Sequence, residues 1–428
     1  MPNVTRRELH PFVFLTHLQT EKFKTATLRL SLLTQLERET AAKNALLPRV
    51  LLQGTVRHPN MAALAEATDE LYGASIEQKV TKKGEIQCVS LSAGFVDDAC
   101  LPEGERILAP VTQLLGEILL APALEHGKFR AAYVDGEREK LLDEIRGRIN
   151  DKGSYAIGRL TELMCDGEDF AVFRLGTEAE AERIDAEGLT RHYKALLGAA
   201  PIEIFYSGTA SADQVADALT NALATLPRTE PDWGMGTGIR MNSLEETPRY
   251  FTEEMDVTQG KLSLGFRIGD AMYVPDYAAL QLFHYLYGGS VNSKLFLNVR
   301  ERLSLCYYAA SVLEPYKGLL LVASGIEFSK YNEALDEILA QLNAIATGDV
   351  TDEELDWAKK ALLTDLRTIA DEQAQLEDFY LSQTILETEG GLEERIAGVE
   401  RVEKATIVEI AAGLQLDAVY FLRGEAAE

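Results

Sequence analysis

Histidines, cysteines and carboxylates are the side chains that hold metals or move protons near neutral pH. The histidines of this chain are poorly spaced for that work. His10, His17, His58, His126, His192 and His284 include no pair at i,i+3 or i,i+4, the spacings that put two ligands on one helical face. Each reads as a surface or hydrogen-bonded histidine. Cys88, Cys100, Cys165 and Cys306 form no C-x-x-C, and no cysteine–histidine arrangement suggests a nucleophile. Neither a G-x-S-x-G elbow nor a phosphate loop occurs, so a self-sufficient hydrolase has no support. Donors and acids remain. Arg300 and Tyr307 lie in Arg300-Glu301-Arg302-Leu303-Ser304-Leu305-Cys306-Tyr307; a guanidinium and a phenol both donate to a peptide carbonyl or a developing oxyanion. Glu137 and Glu144 share a segment that reads as helix from about Val134 to Ile149. Their separation is about two helical turns, so both point to one face.

The elements that must position these groups occur twice. Leu28-Arg29-Leu30-Ser31-Leu32 alternates as a strand, and Lys261-Leu262-Ser263-Leu264-Gly265-Phe266 does the same. From Leu30 to Gly54 is 24 residues, and from Leu264 to Gly288 is also 24; each gap holds a helix-like apolar segment ending at a glycine. Val89-Ser90-Leu91-Ser92-Ala93-Gly94 parallels Leu321-Val322-Ala323-Ser324-Gly325, and Ile202–Gly208 parallels Val419–Gly424. Repetition in the same order predicts a duplicated α+β domain. Thr351-Asp352-Glu353-Glu354 reads as a capping box opening a helix through Leu362 and Leu366. A hairpin is predicted between Ile76 and Ala93, turning at Lys82-Lys83-Gly84. Its edge is a candidate for adding an extended peptide as a further strand. Pro227 to Asn242, with Pro231, Gly234, Gly236 and Gly238 and no apolar period, reads as a linker. The predicted division is residues 1–226, a linker at 227–247, and residues 248–428.

Bulk properties narrow the function further. The 428 residues are 46% apolar and 26% charged, a globular balance. Net charge is −26, from 68 acidic and 42 basic residues, which disfavours a nucleic-acid partner. Scattered cysteines fit reduced thiols in a cytoplasmic protein. The apolar run Phe12-Val13-Phe14-Leu15 is too short for a signal-peptide core, and no stretch of about 20 apolar residues predicts a membrane span.

The block around Arg300 and Tyr307 resembles the R-E-K-x-G-L-x-Y signature of the pitrilysin/insulinase zinc peptidases. It follows Gly288-Gly289-Ser290 and Ser293-Lys294-Leu295-Phe296, similar to that family's G-G-x-x-S-x-L-F. The resemblance implies two homologous domains, each a mostly antiparallel sheet covered by helices, of the metallopeptidase LuxS/MPP-like kind. It also implies that Arg300 and Tyr307 are substrate-binding. In the family an H-x-x-E-H helix ends just before a G-T pair. Here Gly54-Thr55 are present, and the matching positions are Ala45, Pro48 and Arg49. Both histidines and the water-activating glutamate are replaced, and Pro48 is expected to disturb the helix. Val134–Ile145 is similar to the family's V-E-x-E-K-x-x-x-x-x-E-I, matching Glu144 to the third zinc ligand and Glu137 to its acidic neighbour. One carboxylate cannot hold zinc, so no metal or other cofactor and no peptidase activity are expected of the isolated chain. An Arg49–Glu144 ion pair is expected in the metal's stead. The chain looks most like the inactive bacterial members of the YmfF type. That likeness implies a zinc-bearing homologous partner, or self-association, and extended peptides as ligands. The alternative is a non-enzymatic scaffold with no part in proteolysis.

Overall fold

The computed structural model describes residues 3–229, 235–269 and 277–424. The chain divides into two compact units, residues 1–146 with 172–236, and residues 147–171 with 237–428.

The first unit holds strands β1 (Asn3–His10), β2 (Val13–Gln19), β3 (Thr25–Gln35), β4 (Ser75–Lys83) and β5 (Ile86–Val96). A short hairpin, β6 (Leu124–Glu125) and β7 (Lys128–Phe129), and β8 (Ile202–Gly208) complete its strands. The main sheet has the order β1-β2-β8-β3-β5-β4. Helices α1 (Arg38–Leu51), α2 (Met61–Asp69), α3 (Leu108–Leu120) and α4 (Ala131–Gly147) precede α5 (Lys152–Met164), which belongs to the second unit. Helices α6 (Glu178–Glu182), α7 (Ala186–Ala199) and α8 (Ala212–Ala222) follow. Alternation sends Leu28, Leu30 and Leu32 of β3 into one core with Leu46 and Val50 of α1, Leu115 of α3 and Leu141 of α4.

The second unit holds β9 (Arg249–Glu254), β10 (Gly260–Arg267), β11 (Cys306–Glu314), β12 (Leu319–Ile326) and β13 (Gln415–Arg423), in the order β11-β12-β10-β13-β9. Its later helices are α9 (Tyr277–His284), α10 (Tyr331–Ala346), α11 (Asp352–Ile369), α12 (Gln373–Leu386), α13 (Leu392–Arg401) and α14 (Lys404–Gly413). Helix α11 opens on the capping box, with Thr351 accepting from Glu354 N and Glu354 accepting from Thr351 N. It buries Ala358, Leu362 and Leu366.

The two sheets repeat one design. Strands β2, β8, β3, β5 and β4 correspond in order to β9, β13, β10, β12 and β11. Within each set the first two strands are parallel and every other neighbouring pair is antiparallel. The predicted hairpin forms as β4 and β5, and β4 ends its sheet.

The division at a single linker differs from the structure in one respect. Residues 147–171, assigned to the first half by the sequence pattern, pack in the second unit. Ala156, Leu160 and Met164 of α5 cover a sheet face made by Leu319, Leu321, Ala418, Tyr420 and Leu422. The opposite face, with Leu320, Val322, Val419 and Phe421, joins the core beneath α9, α10 and α14. Strands β12 and β13 are apolar on both faces because both faces are covered. A buried ionic cluster ties the end of α5 down. Arg267 donates to Asp417 and Glu168 at 2.9 Å each, and Lys317 Nζ lies 2.7 Å from Glu168. Burial pushes the Glu168 carboxyl up, but its bonds to Lys317 and Arg267 outweigh this and hold it below the usual range. The described residues from 226 to 248 form no helix or strand; Pro231 and Gly234 of the predicted linker lie outside the described residues.

Candidate functional site

The positions matched to the family's zinc helix lie on α1. Ala45 is fully buried in the first core, and Pro48 is buried beside it. The helix runs unbroken to Leu51 with Pro48 inside it, which corrects the expected disturbance. The proline falls in the last turn, so one ladder bond is lost there, and burial of Leu46, Leu47, Val50 and Leu51 holds the turn down.

Arg49 leaves the same turn on a more exposed side and hydrogen-bonds Glu144 of α4, forming the ion pair anticipated from the sequence. The arginine side chain is 16% exposed and the glutamate 43%. Two helical turns back on α4, Glu137 is buried and accepts from Gln53 Nε2 at 2.9 Å and Lys140 Nζ at 2.6 Å. The end of α1 and the turn after it therefore meet α4 through two polar rungs, Arg49–Glu144 and Gln53–Glu137. Gln53 lies in the turn just after α1, four residues beyond Arg49, a spacing visible in the sequence.

A further partner had no sequence signal. Arg174, in the loop before α6, brings a nitrogen within 3.6 Å of Glu144 Oε1. Its loop is held against α1 from below. Gln87 Nε2 donates to Arg174 O at 2.6 Å and to Ala41 O at 3.1 Å. Gln87 Oε1 accepts from Asn44, which in turn accepts from His192 at 2.6 Å. Burial pushes His192 down to about 4, so it is a neutral donor in this chain of bonds. Gly176 has φ +73°, and a Cβ there would come within 2.7 Å of Ala42, so the loop's approach requires glycine.

These donors do not fit zinc. The matched positions offer an alanine, a proline, an arginine and one carboxylate that is hydrogen-bonded to the Arg49 guanidinium and lies 3.6 Å from that of Arg174, charges that oppose a dication. Among the described residues, no three His, Cys, Asp or Glu side chains gather as a metal site.

In the second unit, residues Tyr285–Gly289 and Leu295–Arg302 are wound as π-helix, a rare form associated with functional positions. Gly288 lets the first of these press on β11, since a Cβ would sit 2.7 Å from Ser311 N. Arg300 lies in the second, with its guanidinium 4.7 Å from the centre of the Phe296 ring and 3.4 Å from Glu301. The turn that follows has a special backbone. Ser304, at the glycine position of the family signature, has φ +49°, a left-handed conformation that costs a non-glycine residue strain. Tyr307 is an extra residue in β11, since Cys306 pairs with Ile326 and Tyr308 with Gly325. A bulge re-aims a side chain, and Tyr307 is 61% exposed. Strand β11 ends its sheet. Arg300 is near enough to Cys306 to help lower its thiol pKa, although burial dominates and pushes it up. Among the described residues no hydrogen bond joins Arg300 to Tyr307. Each is partly or largely exposed, which suits donors that serve a ligand.

A family model described as the peptidase M16 inactive domain matches residues 183–362. Over 409 residues, 95% of each chain, the sequence is 36% identical to the probable inactive metalloprotease YmfF of Bacillus subtilis (strain 168). A conserved protein from Enterococcus faecalis V583 superposes with a TM-score of 0.90 at 30% identity, covering 100% of both chains. An M16 inactive domain from Pseudomonas fluorescens superposes with a TM-score of 0.80 at 17% identity, covering 100% of this chain and 99% of that one. No helix among the described residues is long and apolar enough to cross a membrane. The replaced zinc positions, the duplicated α+β fold and these likenesses agree: the chain belongs to the M16 peptidase family, the pitrilysin/insulinase group, as an inactive-type member related to YmfF.

Proposed function

We propose that this chain is the non-catalytic subunit of a two-chain peptidase, in which a zinc-bearing homologue supplies the metal and this chain supplies Arg300 and Tyr307 to hold an extended peptide. The carrying observation is an asymmetry between the units. At the zinc positions the chemistry is replaced by an Arg49–Glu144 ion pair. At the arginine–tyrosine block the chain has a strained left-handed turn at Ser304 and a bulge that exposes Tyr307. Strain of this kind endures where the surrounding structure over-determines it, commonly at functional positions. The β4 edge supports the same reading, since an end strand can pair with a peptide backbone irrespective of sequence.

The test is co-expression with an M16 homologue that carries an intact H-x-x-E-H. The two chains should co-purify and cleave peptides together, while this chain alone does not. Arg300→Ala with Tyr307→Phe should cut cleavage by the pair at least about a hundredfold, the low end of the loss on removing a transition-state donor. Unchanged cleavage by the doubly substituted complex would defeat the assignment of these residues. Failure of any such homologue to associate would favour a scaffold role instead.

A further inference from the structure

We infer that Arg49 and Arg174 form a receptor for a carboxylate carried by a bound peptide, and that Glu144 is its internal occupant in the unliganded chain. The inference rests on the peptide-holding role above and adds a chemical preference to it.

The geometry leaves Arg174 under-used. Glu144 bonds Arg49 through Oε2, but its other oxygen stays 3.6 Å from Arg174, beyond hydrogen-bond reach. Glu144 hydrogen-bonds only one of the two guanidinium groups, whereas a carboxylate arriving on a free chain can settle between them. Planar guanidinium forks bind carboxylates through paired, charge-assisted bonds. Glu144 itself demonstrates that a carboxylate fits between them, and its exposure lets it turn to solvent at small cost.

The surroundings favour an anion. Arg49, Arg174 and Lys140 carry three positive charges against the two of Glu137 and Glu144, within a chain of net charge −26. The receptor is also preorganised. Arg49 projects from a helix packed in the core, and the Arg174 backbone is fixed by Gln87 and by the tight Gly176–Ala42 contact. Rigid donors lose little freedom on binding.

Calorimetric titration of the full chain with three short acetylated peptides tests this. One is neutral with an amidated end, one carries a single central Glu with an amidated end, and one is neutral with a free C-terminal carboxylate. At low salt, a carboxylate-bearing peptide should bind about tenfold tighter than the neutral one, as one added charge-assisted bond implies. Whichever of the two is preferred identifies the source of the carboxylate. Arg174→Ala should erase the preference and leave neutral-peptide binding unchanged, and Glu144→Gln should strengthen carboxylate binding by removing the competitor. Should Glu144→Gln fold poorly, Arg174→Ala decides alone, because Arg174 lies in a loop outside the helices and its side chain is partly exposed. Equal binding of all three peptides, or a preference that survives Arg174→Ala, overturns the receptor while leaving peptide holding intact. Absence of any binding overturns both.

Discussion

The Arg49–Glu144 pair lends itself to a double-mutant cycle. Arg49→Ala removes one side chain, Glu144→Ala the other, and the double variant isolates their coupling. At a surface-like effective dielectric, two charges about 4 Å apart attract by roughly 4 kcal/mol. Solvent at the half-exposed glutamate and the ordering of two long side chains cancel most of that. The 16% exposure of Arg49 places the pair above a fully exposed one, so the coupling should be about 1 kcal/mol. Arg49→Ala also strips a stem of which at least one methylene is buried, worth roughly 0.8 kcal/mol. Its total cost should therefore be about 2 kcal/mol, against about 1 kcal/mol for Glu144→Ala. Urea unfolding gives the totals. Hydrogen exchange of α1 amides reports the first unit specifically, and high salt should shrink the coupling in part. A coupling indistinguishable from zero, with Arg49→Ala costing no more than a surface change of about 0.5 kcal/mol, would refute the idea that the pair has replaced the metal as the tie between α1 and α4.

Four more outcomes follow from the same geometry. Metal analysis after zinc incubation and desalting should find far less than one zinc per chain, and Arg49→His should not raise it, since one imidazole and one carboxylate are too few ligands. Gly176→Ala, forced into φ +73° and against Ala42, should cost at least about 2 kcal/mol in the first unit by thermal or urea unfolding. Asp417→Ala should destabilise the second unit by about 3 kcal/mol, because it removes the buried acid that Arg249 and Arg267 share and leaves Arg267 with Glu168 alone; fluorescence of Trp357 on α11 can follow that unit. His192 and His284, each pushed down to about 4 by burial, take up protons in the unfolded chain first. Their contribution is complete above about pH 7 and is lost as pH falls toward 4, by about 3 kcal/mol each, so His192→Gln and His284→Gln should each flatten the acid limb of a stability–pH curve.

Much of this molecule is written locally in its sequence. The alternation of Leu28, Leu30 and Leu32, and of Leu262, Leu264 and Phe266, reflects a two-residue period that backbone geometry imposes on any half-buried strand, so β3 and β10 could be placed before any packing was known. The Thr351 capping box is equally local, because its four residues satisfy one another. The replacement of both histidines and the glutamate of the zinc motif by Ala45, Pro48 and Arg49 was legible too, since ligand chemistry belongs to residue type. Long-range choices were not. Pro48 stays helical because core packing outweighs one missing bond. Residues 147–171 join the second unit because an apolar face of α5 meets a sheet face that alternation alone cannot assign to a particular helix. Arg174 meets Glu144 only after Gln87 and Gly176 draw its loop onto α1. Periodicity fixes which face of an element is apolar and which residues share it; only the packed structure decides which other element that face meets, because that choice is made by contacts between segments far apart in the chain.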